Sequence, residues 1–270
     1  MSSHTQPQPA PKPLLEVDNV TLTFRGIAAL LGVGFQVQEG QIASLIGPNG
    51  AGKTSMLNCI SGRYHPDEGA IRLGGASLLE KKAHQRTHDG LSRTFQNIAL
   101  FKGLSVLDNL MVGRHGRLNY GLLASMFYLG KARRMEDEHR RRVEDIIDFL
   151  GLSPFRHHAA GRLPYGVQKR VELGRALAAE PRLILLDEPM AGMNLEETED
   201  MARYILDINE EWGCTVLLVE HDMGVVMDLS DHIIVLDFGQ VLASGTPAEI
   251  SENIDVVAAY LGSDAAYAGR

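Results

Sequence analysis

The sequence predicts an α/β fold around a mostly parallel sheet. Three observations carry that expectation. Short apolar runs recur along the chain: QIASLIG from Gln41 to Gly47, RLILLD ending at Asp187, TVLLVE ending at Glu220 and HIIVLD ending at Asp237. Each suits a strand buried on both faces, as parallel strands are. Segments with helical periodicity separate them, and the first run leads directly into a glycine-rich loop and a helix.

The elements follow in order. Leu14 to Phe24 alternates β-branched and polar residues as a strand does, and Ala28 to Val37 reads as a second strand running to a turn at Glu39-Gly40. After Gln41–Gly47 and the loop, TSMLNCISG reads as a helix stopped by Gly62. A polar helix is expected around Lys81 to His88. From about Ile98 to Pro164 the chain turns helical and charged, an insertion within the α/β pattern, and Val143, Ile146, Ile147 and Leu150 share one face of a helix there. Leu195 to Trp212 reads as another helix, with Leu195, Met201, Ile205, Ile208 and Trp212 on one side and Gly213 ending it.

Composition narrows the function. The 270 residues suffice for one large domain or two small ones with a core that needs neither disulfide nor metal. Lys and Arg number 26 against 34 Asp and Glu, a formal charge of −8, which argues against a general nucleic-acid binder. Two cysteines, Cys59 and Cys214, give no disulfide framework and suit a reducing compartment. No run of apolar residues approaches the length of a membrane span. Residues 1–13 read as a disordered leader and residues 263–270 as a flexible tail.

The loop Gly47-Pro48-Asn49-Gly50-Ala51-Gly52-Lys53-Thr54 matches G-x-x-x-x-G-K-[ST], in the strand-then-helix context that this phosphate-binding pattern requires. Its glycines let backbone N–H groups curl around phosphate, and the helix N-terminus adds positive potential. Lys53 is placed for the β- and γ-phosphates and Thr54 for Mg²⁺. The set Gly47 to Thr54, with Ser55 after it, is therefore the candidate site for ATP. Asp187 and Glu188 end a buried strand and project in different directions. Asp187 suits the shell of Mg²⁺, and Glu188 can face the γ-phosphate and polarise a water as general base.

With these motifs in place, the chain from Leu14 to Gly262 resembles an ATP-binding cassette (ABC) ATPase. The resemblance implies a P-loop, RecA-like core over 14–97 and 165–262, an antiparallel β subdomain at its edge and a helical subdomain over 98–164. It implies that Gln96 is the Q-loop glutamine, touching Mg²⁺ and sensing a membrane partner, and that His221 is the switch histidine acting with Glu188. Phe24 falls where the family stacks an aromatic on adenine. Leu163-Pro164-Tyr165-Gly166-Val167 occupies the signature position, so Tyr165 and Gly166 would meet the phosphate bound by a second cassette, although Pro164 replaces the family's serine and Val167 its glutamine. Ala191-Gly192-Met193-Asn194 stands at the D-loop.

Finer features are similar to the ATPase subunit of bacterial branched-chain amino acid importers: SRTFQNIALFKGLSVLDNLMVG, the insertion from Arg114 to Arg134, the LxYG signature, VEHDMGVVMDLSD and the final VVAAYLG. The implied partners are transmembrane permease subunits, a second ABC ATPase subunit (this chain or a paralogue) and, indirectly, an extracytoplasmic solute-binding protein, with no nucleic acid. The implied location is cytoplasmic, peripheral on the inner face of the plasma membrane. Two other ABC branches compete. A lipopolysaccharide-extraction ATPase is disfavoured by the long insertion and the VEHDM segment, and a soluble non-transport ABC protein by the single cassette and the acidic balance. A GTPase is disfavoured because the chain lacks an Asn-Lys-x-Asp motif.

Overall fold

The computed structural model describes residues 13–114 and 131–267. Strands β1 (Pro13–Phe24) and β2 (Ile27–Gln38) form a hairpin whose turn residues Arg25 and Gly26 both adopt positive φ, 51° and 85°. This left-handed pair matches the right-handed twist of the strands it joins. β3 (Ile42–Ile46) is buried at every residue and leads through the glycine loop into α1 (Lys53–Ser61), which Gly62 ends in the left-handed conformation. There follow β4 (Glu68–Leu73), β5 (Ala76–Ser77), α2 (Ala83–His88), β6 (Leu91–Arg93), α3 (Val106–Arg114) and α4 (Lys131–Phe149). The second half comprises α5 (Tyr165–Leu177), β7 (Leu183–Asp187), α6 (Leu195–Glu210), β8 (Thr215–Val219), α7 (Met223–Leu229), β9 (His232–Asp237), β10 (Gln240–Gly245), α8 (Pro247–Ser251) and α9 (Ile254–Tyr267).

The strands form two sheets. The larger has the order β10-β9-β3-β8-β7-β6, parallel except for β10, and the smaller is antiparallel in the order β2-β1-β4-β5. Side chains alternate across each central strand and so divide the core in two. On β7, Leu183 and Leu185 pack with the hairpin and α1, where Val17, Leu30, Met56 and Ile60 also lie. Ile184 and Leu186 pack on the other face with Leu110, Val143, Ile147, Leu173 and Ile205 of the helices. Both faces are covered, which is why β3, β7 and β8 are apolar without alternation.

Because β3 lies between β9 and β8, the carboxyl ends of β3, β8, β7 and β6 meet along one edge of the sheet, where open parallel sheets place their ligands. Between residues 98 and 164 the described residues form helices and turns, and Val143, Ile146, Ile147 and Leu150 are buried as their spacing predicts. Residues 115–130 of the insertion from Arg114 to Arg134 lie outside the described residues.

Several expectations need correction. The AIRL segment is a strand, β4, that the sequence did not reveal. Leu195 is 76% exposed, because it is the first residue of α6, inside the Asn194–Glu197 capping box, and the buried stripe begins only at Met201. Trp212 lies past the end of α6 and packs its ring 4.8 Å from that of Phe149. The segment read as a tail from residue 263 is helical through Tyr267. Arg86, within the helix expected to be polar around Lys81 to His88, is 3% exposed: its guanidinium donates to Lys81 O, Cys59 O and Ile60 O and so caps the C-terminal end of α1. Both cysteines are buried, and burial pushes their thiols up to about 11 for Cys59 and about 12 for Cys214, so neither is a reactive thiolate.

Candidate nucleotide site

The glycine loop is shaped by close backbone approach. Gly47 has φ 144°, and a Cβ there would strike Leu236 O of β9. Gly52 has φ 106°, and a Cβ would lie 2.7 Å from Ala29 O. Gly52 is also the N-cap of α1 and brings no side chain to cap it. The first-turn amides of α1 thus lack both a preceding turn and a capping side chain, which leaves them for an anion. Lys53 is 7% exposed and its ammonium donates to Gly47 O at 2.5 Å and Pro48 O at 3.0 Å. Burial lowers its pKa, and the nearby carboxylates of Glu188 and Asp187 oppose that shift.

A cleft of about 310 Å³ opens over this loop, walled by Ala29, Asn49 to Ser55, Gln96, Glu188 and His221. The sequence-predicted residues Gln96, Glu188 and His221 are therefore brought to the phosphate loop from the segments that follow three separate strands, β6, β7 and β8. Glu188 stands at the centre. Gln96 Nε2 donates to its Oε2 at 2.7 Å, and His221 Nε2 donates to its Oε1 at 2.6 Å. Its backbone is left-handed, φ 50°, a strained state for a non-glycine residue. That state is held by Glu188 N–H donating to Val219 O at 2.9 Å and by Ala191 N–H and Lys169 Nζ donating to Glu188 O. Glu220, 5% exposed, accepts from the N–H groups of Met190 and His221 and fixes the start of the histidine loop; burial raises its pKa.

Asp187 points the other way, as the strand period requires. Its Oδ2 accepts from Arg93 Nη2 at 2.8 Å, in a pair that is almost wholly buried. Arg93 also donates to Asn58 Oδ1 and Ser61 Oγ, so one guanidinium ties the loop helix α1 to the end of β7. A second cleft of about 490 Å³ is lined by Thr54, Asn58, Tyr64, Arg93, Gln96 and Asp187 among others. Thr54 and Gln96 wall both clefts, with Asp187 beside them. A hydroxyl, an amide and a carboxylate are all oxygen donors, a set that fits a hard cation such as Mg²⁺ sharing phosphate oxygens.

Phe24 and the signature residues stand apart from these clefts. Phe24 is not core: it is 43% exposed, with its ring edge-on to Tyr64 at 5.1 Å, and Tyr64 lines the second cleft. Tyr165 is 44% exposed and faces Gly192 of the D-loop, and Pro164 is the N-cap of α5. Gly166 has a requirement within its own chain, since a Cβ there would strike the Glu197 carboxylate of the α6 capping box. No local pattern in the sequence marks Arg93, Lys169, Glu220 or Tyr260. Tyr260 of α9 reaches the phosphate loop, where the Gly47 main chain hydrogen-bonds its side chain, and burial pushes its pKa up to about 12.

Comparison with known proteins bears on this geometry. A family model described as ABC transporter matches residues 30–191, and one described as branched-chain amino acid ATP-binding cassette transporter matches residues 240–266. The chain is 44% identical to the high-affinity branched-chain amino acid transport ATP-binding protein BraF of Pseudomonas aeruginosa, over 93% of this chain and 98% of that one. It is 39% identical to LivG of Escherichia coli, described in the same words, over the same shares. Among solved structures, the ADP conformation of an ATP-binding cassette of an ABC transporter is similar, with a TM-score of 0.80 and 32% identity over 93% of this chain and 99% of that one. A dimeric post-hydrolysis cassette bound to ADP and Pi has a TM-score of 0.73 and 28% identity, over 86% of this chain and 98% of that one.

Proposed function

We propose a mechanism from the premise that this chain belongs to the ABC transporter family: it is the ATP-hydrolysing subunit of an importer for branched-chain amino acids or related small amino acids and amides. The observation that carries the reading is Glu188, held by Gln96 and His221 in the wall of the phosphate-loop cleft. The amides of the loop and of α1 bind the ATP phosphates, and Lys53 turns from Gly47 O and Pro48 O to the β- and γ-phosphates. Thr54, Asp187 and Gln96 would hold Mg²⁺, which when bound neutralises charge on the transferring phosphoryl group. Once Gln96 turns from Glu188 Oε2, that oxygen is free to accept a proton from the attacking water, while His221 keeps Oε1 oriented. Phe24 offers an exposed ring face for the adenine.

Two cassettes would meet head to tail, with the N-terminus of α5 and Tyr165-Gly166 of one against the γ-phosphate of the other. Among the described residues no helix is long and apolar enough to cross a membrane, so the solute passes through other chains. The chain would sit on the cytoplasmic face, docked to permease subunits that receive solute from an extracytoplasmic binding protein. Radiolabelled leucine uptake by membrane vesicles of the native host is expected to depend on this chain and to stop with Glu188→Gln, and the tagged chain should co-purify with permease subunits. Unchanged uptake of branched-chain amino acids and small amides, or co-purification with lipopolysaccharide-extraction components instead, would overturn the importer reading.

Pro164 has no hydroxyl to offer the partner's phosphate. A hydrogen bond to a charged group is worth about 1.5–3 kcal/mol. Isolated cassettes are therefore expected to remain mostly monomeric with MgATP, and Pro164→Ser should shift them toward dimer by about tenfold or more in association constant. Analytical ultracentrifugation at fixed MgATP reads this directly.

A further inference from the structure

Lys169 lies on α5, one turn after the signature residues, and has no motif of its own. It is 3% exposed, yet its ammonium is not aimed at any side-chain acceptor. Nζ donates to two main-chain carbonyls, Gln96 O at 3.1 Å and Glu188 O at 3.2 Å, and lies 5.9 Å from the centre of the Tyr165 ring. One turn further along the same helix face, Glu172 (2% exposed) accepts from Phe95 N–H at 3.4 Å and Ala99 N–H at 3.3 Å. α5 thus holds the Gln96 loop from both sides, by a cation on a carbonyl and a carboxylate on two amides. Burial lowers the Lys169 pKa, and Glu172, Glu220, Glu188 and Asp187 oppose that shift.

The second carbonyl matters more. Glu188 is strained at φ 50°, and its carbonyl must be held for its side chain to point into the cleft. Lys169 provides that hold from the helix that also carries Tyr165 and Gly166. We propose that Lys169 is a positioning residue for ATP hydrolysis, joining the signature helix to the main chain of Glu188 and Gln96 so that the attitude of α5 sets the aim of the general base. This rests on the ATPase reading above. Lys169 lines neither the phosphate-loop cleft nor the second cleft beside it, so its loss should act on turnover and not on affinity.

The test is Lys169→Met in the full chain, compared with Lys169→Arg, each alone and combined with Glu188→Gln. Steady-state ATPase gives kcat, and fluorescent ADP gives affinity. Lys169→Met should lower kcat by about tenfold or more with ADP affinity within about twofold of wild type. Lys169→Arg, which keeps the charge and enough donors for both carbonyls, should restore the rate to within about threefold. In the Glu188→Gln background, Lys169→Met should cost less than about twofold further, because it acts through Glu188. Should Lys169→Met not fold, Lys169→Gln replaces it, with the same expected gap below Lys169→Arg. The proposal is overturned by an unchanged kcat, by a loss of affinity in step with kcat, by an equal loss in the Glu188→Gln background, or by Lys169→Arg no faster than the neutral variant. A wild-type chain without ATPase activity would instead overturn the ATPase reading itself.

Discussion

Lys53→Ala is expected to leave the fold intact and abolish nucleotide binding. The ammonium is buried with two loop carbonyls, Gly47 O and Pro48 O, for partners. In the bound state it would exchange those neutral acceptors for phosphate oxygens, which carry full charge. Charge-assisted hydrogen bonds are worth about 1.5–3 kcal/mol each, so losing two lowers affinity by a factor of at least about 10². The methyl group that remains still fits the start of α1, since alanine is the best helix former. Thermal unfolding separates the two effects. At about 100 times Kd, ATP stabilises the wild type by about 2.7 kcal/mol, which is a rise of roughly 5–10 °C in Tm for a domain of this size. The variant should show no such rise, while its Tm without nucleotide stays close to wild type. A labelled ATP analogue that binds the variant normally would refute the site.

Glu188→Gln is the converse case, retaining binding and losing chemistry. Glutamine keeps the size of the side chain, and its oxygen can still accept from Gln96 or His221, each now within 2.7 Å of the carboxylate. It cannot take a proton from water. General-base catalysis contributes about 10²–10⁴ in rate, and hydrolysis should fall by that order with affinity for MgATP retained. Hydrolysis then no longer empties the closed dimer, so with ATP the variant should show a larger dimer fraction on sizing chromatography than the mostly monomeric wild type. A variant with near wild-type turnover would remove Glu188 from its role. Single-turnover measurement is the cleaner readout, because it excludes product release.

The difference between these two residues and Lys169 or Arg93 is one of legibility. The phosphate loop could be read from Gly47 to Thr54 because a backbone cradle needs glycines and a lysine at fixed local offsets, and those offsets are contiguous in sequence. Asp187-Glu188 was legible for a related reason: a buried strand announces itself by its apolar run, and polar residues at its end reach a sheet edge. Gln96 and His221 carry no local pattern that marks them as functional. Their assignment came from family resemblance, and the structure brings both onto one carboxylate.

What the sequence determined by itself was the α/β alternation, the phosphate loop and the paired carboxylates, all of which rest on local periodicity or on residues a few positions apart. Only the tertiary structure decided which charges are buried. Arg93, Arg86, Lys169, Glu172 and Glu220 look in sequence like any solvated charge, and a solvated charge is the favourable state of an isolated one. Each is buried because the strand order β10-β9-β3-β8-β7-β6 and the packing of α1 and α5 bring it carbonyls, amides or an opposite charge from elements far away along the chain. Burial of a charge is stable only when such partners converge, and convergence is a property of the assembled sheet, which no window of residues contains.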